Sequence, residues 1–463
     1  MPCRRAMRMV KAWPPVARGR LRAADSAVGS QRKIGYWTCT ALVVGNVIGM
    51  GIFLLPASLA PFGLNTLIGW VITLAGCLTL AGVFACLARV LPDAEGPYGY
   101  IRDTLGELPA YLALWAYWVS MWLTNAALAT GVVGYFTVVL PATQAIPPLV
   151  FALGLVWLLI LVNLFGVRTG GGVQVVTTVL KLLPMLAVAA LGGWILLDAP
   201  ATYVAHPPTT PITLSGIMAA STIALYAMLG FESATIPAAR VEHPGRTIPR
   251  ATMTGAIVLA VIYLIVSTVP LLLIRQSELA ASSAPFSLLM DRFAGAGLGR
   301  WLAVFVVVSG LGALNGWTLL VGELTRTLAS NGVMPAMLAR TNRHGAPVSA
   351  LLVTGVLASI MVGMSYSRSL VDAFTFITLM VTAANLPLYL GCGLALLVLW
   401  RRGVLPRGLP LAAIGVLYVV FALVGIGGEP FLYALGLIAI GLPLYAYMRL
   451  RRKDPAPAGE PAP

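Results

Sequence analysis

Two short segments hold the residues best suited to chemistry. The first is Gly45-Asn46-Val47-Ile48-Gly49-Met50-Gly51, followed by Pro56. The second begins at Tyr226 and runs through Leu229-Gly230-Phe231-Glu232-Ser233 to Pro237. Each lies inside an apolar run, and each is rich in residues that interrupt a helix. An interrupted helix leaves free N–H groups where one half starts and free carbonyls where the other ends. The N–H end suits an anionic group, and the carbonyl end suits an ammonium. An α-amino acid carries both groups on one carbon, so a pair of breaks fits a zwitterion. For the first segment packing is the alternative, because Gly45 and Gly49 have the spacing of a small-residue helix contact. Packing explains the second segment less well, since it sets the carboxylate of Glu232 beside a glycine in an apolar span.

Those segments need elements to hold them. The chain has 463 residues, of which 59% are hydrophobic and 10% charged. A soluble domain carries about 25% charged residues, so a water-facing globule is excluded. The apolar runs have the length needed to cross a bilayer, about 20 residues each. They predict spans near 35–57, 64–89, 108–140, 148–166, 173–197, 213–238, 252–274, 298–328, 347–366, 371–399, 408–427 and 430–448. The runs are continuous rather than alternating, which favours helices over a barrel. The expected fold is an all-α polytopic membrane protein of about 12 transmembrane helices. Its joins are short and rich in Pro and Gly. The two interruptions fall in the first and sixth spans, matching places in a five-plus-five inverted repeat over about 35–197 and 213–399. Two extra helices follow over 408–448. Paired breaks of this kind point to a substrate site at the membrane midplane. Residues 34–450 form the expected membrane domain, between a basic tail at 1–33 and a Pro/Ala-rich tail at 451–463.

Charge orients this arrangement. Of thirty Lys and Arg, twenty-five lie in the two tails and the even-numbered joins. Only Arg275, Arg292, Arg300 and Arg368 fall on the other side, and Lys181 lies within a span. The asymmetry puts both termini in the cytoplasm. It also accounts for the net charge of +15 without a nucleic-acid partner. Residues 1–33 lack the apolar core of a signal peptide; this tail can meet anionic lipid, or precede the true start at Met7 or Met9. The five cysteines and three histidines show no metal spacing, so no cofactor or redox chemistry is expected.

At this point the chain resembles a known family. The run Gly45 to Ala57 is similar to the first-helix motif of the amino acid–polyamine–organocation superfamily. Gly230 to Thr235, continuing through His243-Pro244-Gly245-Arg246-Thr247-Ile248-Pro249-Arg250, is similar to its sixth-helix motif and the loop beyond. Tyr117-Trp118, Trp122 and Asn125 on the third span match, as does Asn315-Gly316-Trp317-Thr318-Leu319-Leu320 on the eighth. Within the superfamily, the chain most resembles the basic amino acid/polyamine antiporters, especially members exchanging arginine for agmatine. The resemblance covers about residues 33 to 450. It implies a multi-pass protein of the bacterial inner membrane with a LeuT-like fold and an amino acid or polyamine substrate. A homodimer is compatible with it.

The resemblance also implies roles. The substrate carboxylate would meet the first break at Met50 and Gly51, with Asn46 and Ile48 beside it. The α-amino group would meet carbonyls of Val47, Tyr226 and Leu229. Trp317 would stack on a guanidinium, and Asn125 would bind the distal head group, with Ser120 and Met121 on the same helix. Tyr226 matches an aromatic lid. Tyr117 and Glu232 match an aromatic gate and a carboxylate tied to gating or pH response. Two departures stand out. The antiporters have serine in place of Met50 and tryptophan in place of Tyr226, which opens the site to a different amino acid or to binding by backbone N–H groups alone.

Lys181 and Glu232 are charges within spans. Glu232 can hold a proton, complement a cationic substrate, or tie the broken helix to a neighbour. Lys181 is about 12 Å of helix inside the cytoplasmic end, too deep for simple snorkelling. The resemblance implies an ammonium replacing a sodium ion between the first, fifth and eighth helices, as a proton-coupling site or a fixed charge. Glu323 and Arg326, three apart on one helix face, suggest a structural pair, and Asp372 a solvated one near a helix end. The expected mechanism is alternating access, with the first and sixth helices rocking against the third and eighth. Exchange of cationic amino acids is the leading reading, and a proton-coupled permease or exporter for neutral amino acids the next. A channel lacks a polar lining, an enzyme lacks a nucleophile–base or metal set, and a non-transporting sensor is the remaining rival.

Overall fold

The computed structural model describes residues 35–91, 94, 96–165, 171–230, 244–365, 367–405 and 408–453. Among these residues the structure is all-helical, with no strand. The first predicted span is two helices, α1 (Tyr36–Val47) and α2 (Gly51–Leu59). Next come α3 (Asn65–Val90), a short α4 (Gly96–Leu105), α5 (Glu107–Val139), α6 (Pro148–Leu164) and α7 (Gly171–Asp198). The sixth span is described as α8 (Leu214–Met228) up to its break, and α9 (Pro244–Leu273) is the seventh. A hairpin of α10 (Gln276–Ala281) and α11 (Pro285–Phe293) leads into α12 (Leu298–Ser330). The rest are α13 (Val348–Met364), α14 (Leu370–Arg401), α15 (Leu409–Gly425), α16 (Gly428–Ala439) and α17 (Gly441–Lys453).

Seven of these segments are long and apolar enough to cross a membrane, and five shorter apolar helices accompany them. At 1.5 Å per residue the longest, α5 and α12, reach about 50 Å, more than a hydrocarbon core requires. Three features exceed the sequence reading. The second join folds as α4, the seventh join holds the α10–α11 hairpin, and the last span divides at Ile440 into α16 and α17.

The helices pack as two groups. Helix α5 is the hub of one, lying along α12 and α14. Its middle is buried on all sides, which fits its uniformly apolar surface. The other group is α1, α3, α8 and α9. Here Thr73 Oγ1 of α3 lies 2.9 Å from Ser221 O of α8, a side-chain tie between two apolar helices. Helix α7 packs against α1, α9 and α12. The broken α1–α2 segment therefore runs where the groups meet.

Candidate functional site

The first break is made by backbone torsion. Helix α1 ends at Ile48, whose φ of −70° and ψ of 97° leave the helical region, and α2 restarts from Met50. From sequence, the glycines of this segment allow close backbone approach and non-helical torsions. A positive φ occurs at the second break, where Leu229 is extended and Gly230 has φ 106°. At Gly51 the missing side chain serves close approach: a Cβ there would lie 2.8 Å from the Tyr226 ring. Tyr226 is buried and packs edge-on against Phe374 of α14, with ring centroids 5.9 Å apart. The last turn of α8 thus lays an aromatic ring over the first turn of α2.

The breaks meet at a cavity of about 30 Å³. At about 10–15 Å³ per water it is narrow. Val47, Gly49, Gly51 and Ile52 border it from α1 and α2, and Tyr226, Ala227 and Leu229 from α8. Thr124 and Leu128 of α5, Trp317 of α12 and Asn385 of α14 form the opposite wall. Three kinds of group therefore converge. The α2 N-terminus presents N–H groups with the positive end of a helix dipole. The ends of α1 and α8 present carbonyls. Trp317 brings an indole to the border. Among the described residues, no charged side chain lines the cavity.

Five residues assigned from sequence come together there: Val47, Gly51, Tyr226, Leu229 and Trp317. Others do not border it. Ile48 and Met50 are fully buried beside the break. The Met50 side chain points at Gly131 of α5 and Gly310 of α12, where added Cβ atoms would lie 2.7 Å from its Cγ and 2.9 Å from its Sδ. Asn125 is buried one position from Thr124, and its Oδ1 has no hydrogen-bond partner. Ser120 donates to Tyr117 O at 2.7 Å within its own helix. Tyr117 and Met121 are buried on the α5 face shared by Thr124 and Leu128, one to two turns toward the chain termini. The Asn46 side chain and all of Glu232 lie outside the described residues.

Lys181 of α7 is 4% exposed, and its Nζ donates to Gly45 O at 2.9 Å. It thus supplies a donor to one of the carbonyls that the α1 break leaves open. Val47 O accepts from Tyr263 Oη of α9 at 3.4 Å, a weak bond. Glu323 and Arg326 pair at 2.7 Å while about 40% exposed, an arrangement of small energetic value. Asp372 is a capping residue: its N–H donates to Ser369 Oγ, which donates back to Asp372 Oδ2.

Sequence reasoning missed Thr124, Leu128 and Asn385. Thr124 and Leu128 are four apart on one face of α5, a signal that the prominence of Asn125 obscured. Asn385 stands two residues before Pro387 inside an apolar helix, a polar residue beside a helix-breaking type that the sequence does show.

Comparison with known proteins gives the following. The family model described as amino acid permease matches residues 34–433. A protein named putrescine transporter PotE from Escherichia coli K12 is 28% identical over 427 residues, covering 90% of this chain and 97% of that protein. Its namesake from Haemophilus influenzae is 29% identical over 426 residues, with the same coverage. A cadaverine/lysine antiporter from Escherichia coli K12 is 31% identical over 334 residues, covering 71% of this chain and 74% of that protein. Among solved structures, a manganese transporter from Eremococcus coleocola superposes with a TM-score of 0.57 at 13% identity. That match covers 95% of this chain and 98% of the other, and it bears on the fold alone.

Proposed function

The chain belongs to the amino acid permease family and is a membrane transporter, not an enzyme, and on that footing we propose that it exchanges a cationic amino acid for an amine by alternating access. One observation carries this reading: the breaks after α1 and α8 meet at one cavity that Trp317 also borders. The α2 N-terminus is the place for a carboxylate, the carbonyl ends of α1 and α8 hold an α-ammonium, and Trp317 takes a cationic head by cation–π attraction. Relatives named for putrescine, cadaverine and lysine support such a substrate class. Arginine with agmatine is one pair within it. Glu232 keeps its assignment from sequence alone, as a carboxylate for a proton or a cationic head.

The basic tails and even-numbered joins support a cytoplasmic placement of both termini in a bacterial inner membrane. Lys181, through Gly45 O, is the proposed ion- or proton-coupling residue. Its ammonium holds the Gly45 carbonyl at the break of the first span, where the family resemblance implies that it replaces a sodium ion.

The test is exchange in proteoliposomes loaded with unlabelled arginine, lysine, putrescine or cadaverine, with labelled substrate outside. Trans-stimulated uptake of a cationic solute is the expected result. Competition by neutral amino acids alone would replace this reading with the second, a neutral amino acid permease, which the absence of charge among the described residues lining the cavity favours. For Lys181→Ala, net flux should lose its pH dependence. A profile identical to wild type at every pH would leave Lys181 a purely structural role.

A further inference from the structure

We infer that Asn385 of α14 is a substrate-contacting residue whose amide oxygen receives the cationic head of the transported molecule. The inference rests on the transport reading above and assigns a wall of the same cavity to the charge that the reading requires.

Asn385 borders the cavity and is 3% exposed. Its Nδ2 donates to Val381 O, one turn back, at 3.2 Å, and its Oδ1 has no hydrogen-bond partner. Turning the amide over does not remove the orphan. It would press Oδ1 against the Val381 carbonyl and strand the NH₂ group instead. The hydrogen bond therefore fixes which atom is free, and that atom is an acceptor. A buried acceptor without a partner is destabilising, and in a native protein it calls for a reason. Asparagine is also a poor helix former, and Ala383, Ala384 and Leu386 around it are buried and apolar. Pro387, inside the same helix, has no N–H to offer the carbonyl of Ala383. Asn385 thus adds a free acceptor to a cavity that already has the carbonyl ends of α1 and α8 at its border.

Acceptors select donors. An ammonium or guanidinium satisfies the Asn385 oxygen, whereas a carboxylate or an aliphatic side chain leaves it orphaned or repelled. With Trp317 on the neighbouring wall, the oxygen supplies direction where the indole face supplies only attraction. The pair would separate a cationic substrate from a neutral one of the same length.

The test compares two nearly isosteric variants of the full-length protein, Asn385→Thr and Asn385→Val. Threonine in these helices donates to the carbonyl four residues back, as Thr382 does to Thr378 O at 2.9 Å, and it keeps lone pairs for a ligand. Valine has no acceptor. In proteoliposome exchange, Asn385→Val should raise KM for labelled lysine, arginine or cadaverine about tenfold to a hundredfold, the range for a hydrogen bond to a charged group. Asn385→Thr should stay within about threefold of wild type on the same reasoning. Inhibition by leucine should change equally little in both. Without substrate, the detergent-purified valine variant should melt no lower than the threonine variant. Equal KM values for the two variants would overturn the inference while leaving the transport reading in place. So would a loss in the valine variant that follows its melting temperature and touches every substrate alike. A wild-type protein that moves no cationic solute would overturn the transport reading itself.

Discussion

Met50 shows what a single side chain can decide at a broken helix. It stands at the start of α2, where the resemblance places a carboxylate contact, yet its thioether fills the notch beside Gly131 and Gly310. It is a packing residue, and only its backbone faces the break. Met50→Ala should therefore lower stability by about 2–5 kcal/mol, read as the melting temperature in detergent. Gly131→Ala should also destabilise, because its new Cβ meets the Met50 Cγ. The double variant should be more stable than the two losses predict, since each change makes room for the other. Strict additivity would remove the notch from this account. Trp317→Leu should weaken a cationic substrate about threefold to thirtyfold and a neutral one far less; equal effects in competition assays would argue against stacking. Gly51 was legible from sequence because glycine type and spacing mark the break, whereas Tyr226 and Trp317 were pointed to by the family resemblance; all three border the cavity. The direction of Met50 was not, because it depends on two glycines some 80 and 260 positions away.

Elements fasten the side of the molecule away from the termini. Tyr135 of α5 is fully buried; its hydroxyl donates to Phe53 O of α2 at 2.7 Å and accepts from Phe286 N of α11 at 3.2 Å. One phenol thus ties the hub helix, the broken helix and the hairpin. Gln276 adds a second tie, donating to Ala60 O at 2.9 Å, and Thr375 of α14 donates to Ser58 of α2 at 2.7 Å. Tyr135→Phe keeps the ring, removes the extra bond to Phe53 O and strands the buried Phe286 N–H, at about 1–3 kcal/mol. The variant should open this face more often. A cysteine introduced at Ser58, which is 4% exposed, should then react faster with a membrane-impermeant thiol reagent; an unchanged rate would show that the phenol is no latch. Within the hairpin, Arg292 Nη1 donates to Glu278 Oε2 at 2.8 Å. That hydrogen bond holds the Glu278 carboxyl below its ordinary range. Its contribution is present above the unfolded carboxyl pKa and is lost as pH falls through the lower folded value. Acid should thus loosen the hairpin only below about pH 4, and Glu278→Gln should abolish that step in limited proteolysis of residues 276–293. The sequence showed the spans by composition, but α4 and this hairpin are too short and too polar for hydropathy to announce.

Across the whole molecule, the broken α1–α2 segment lies where the two helix groups meet, so the proposed rocking motion would bend that segment. The sequence suggests that motion through its two matching breaks, and suggests an orientation through its one-sided charges. It did not reveal how closely the groups press together, which depends on residues converging from six helices. Protease digestion of sealed right-side-out vesicles should spare tags at both ends of the chain and cut them in inverted vesicles. Cleavage of either tag from the outside would reverse the charge-based orientation.

The narrowness of the cavity has a consequence for measured affinity. A crevice of about 30 Å³ cannot admit a molecule the size of lysine without widening, so only the widened fraction of carriers can bind. Apparent affinity is then the intrinsic affinity scaled by that fraction. Substitutions that never touch the cargo, at Tyr135 or Gly131, should shift the concentration for half-maximal uptake in the same proportion for every substrate. Selectivity ratios would stay constant while all the constants move together, the mark of a molecule in which choosing the cargo and making room for it are separate acts.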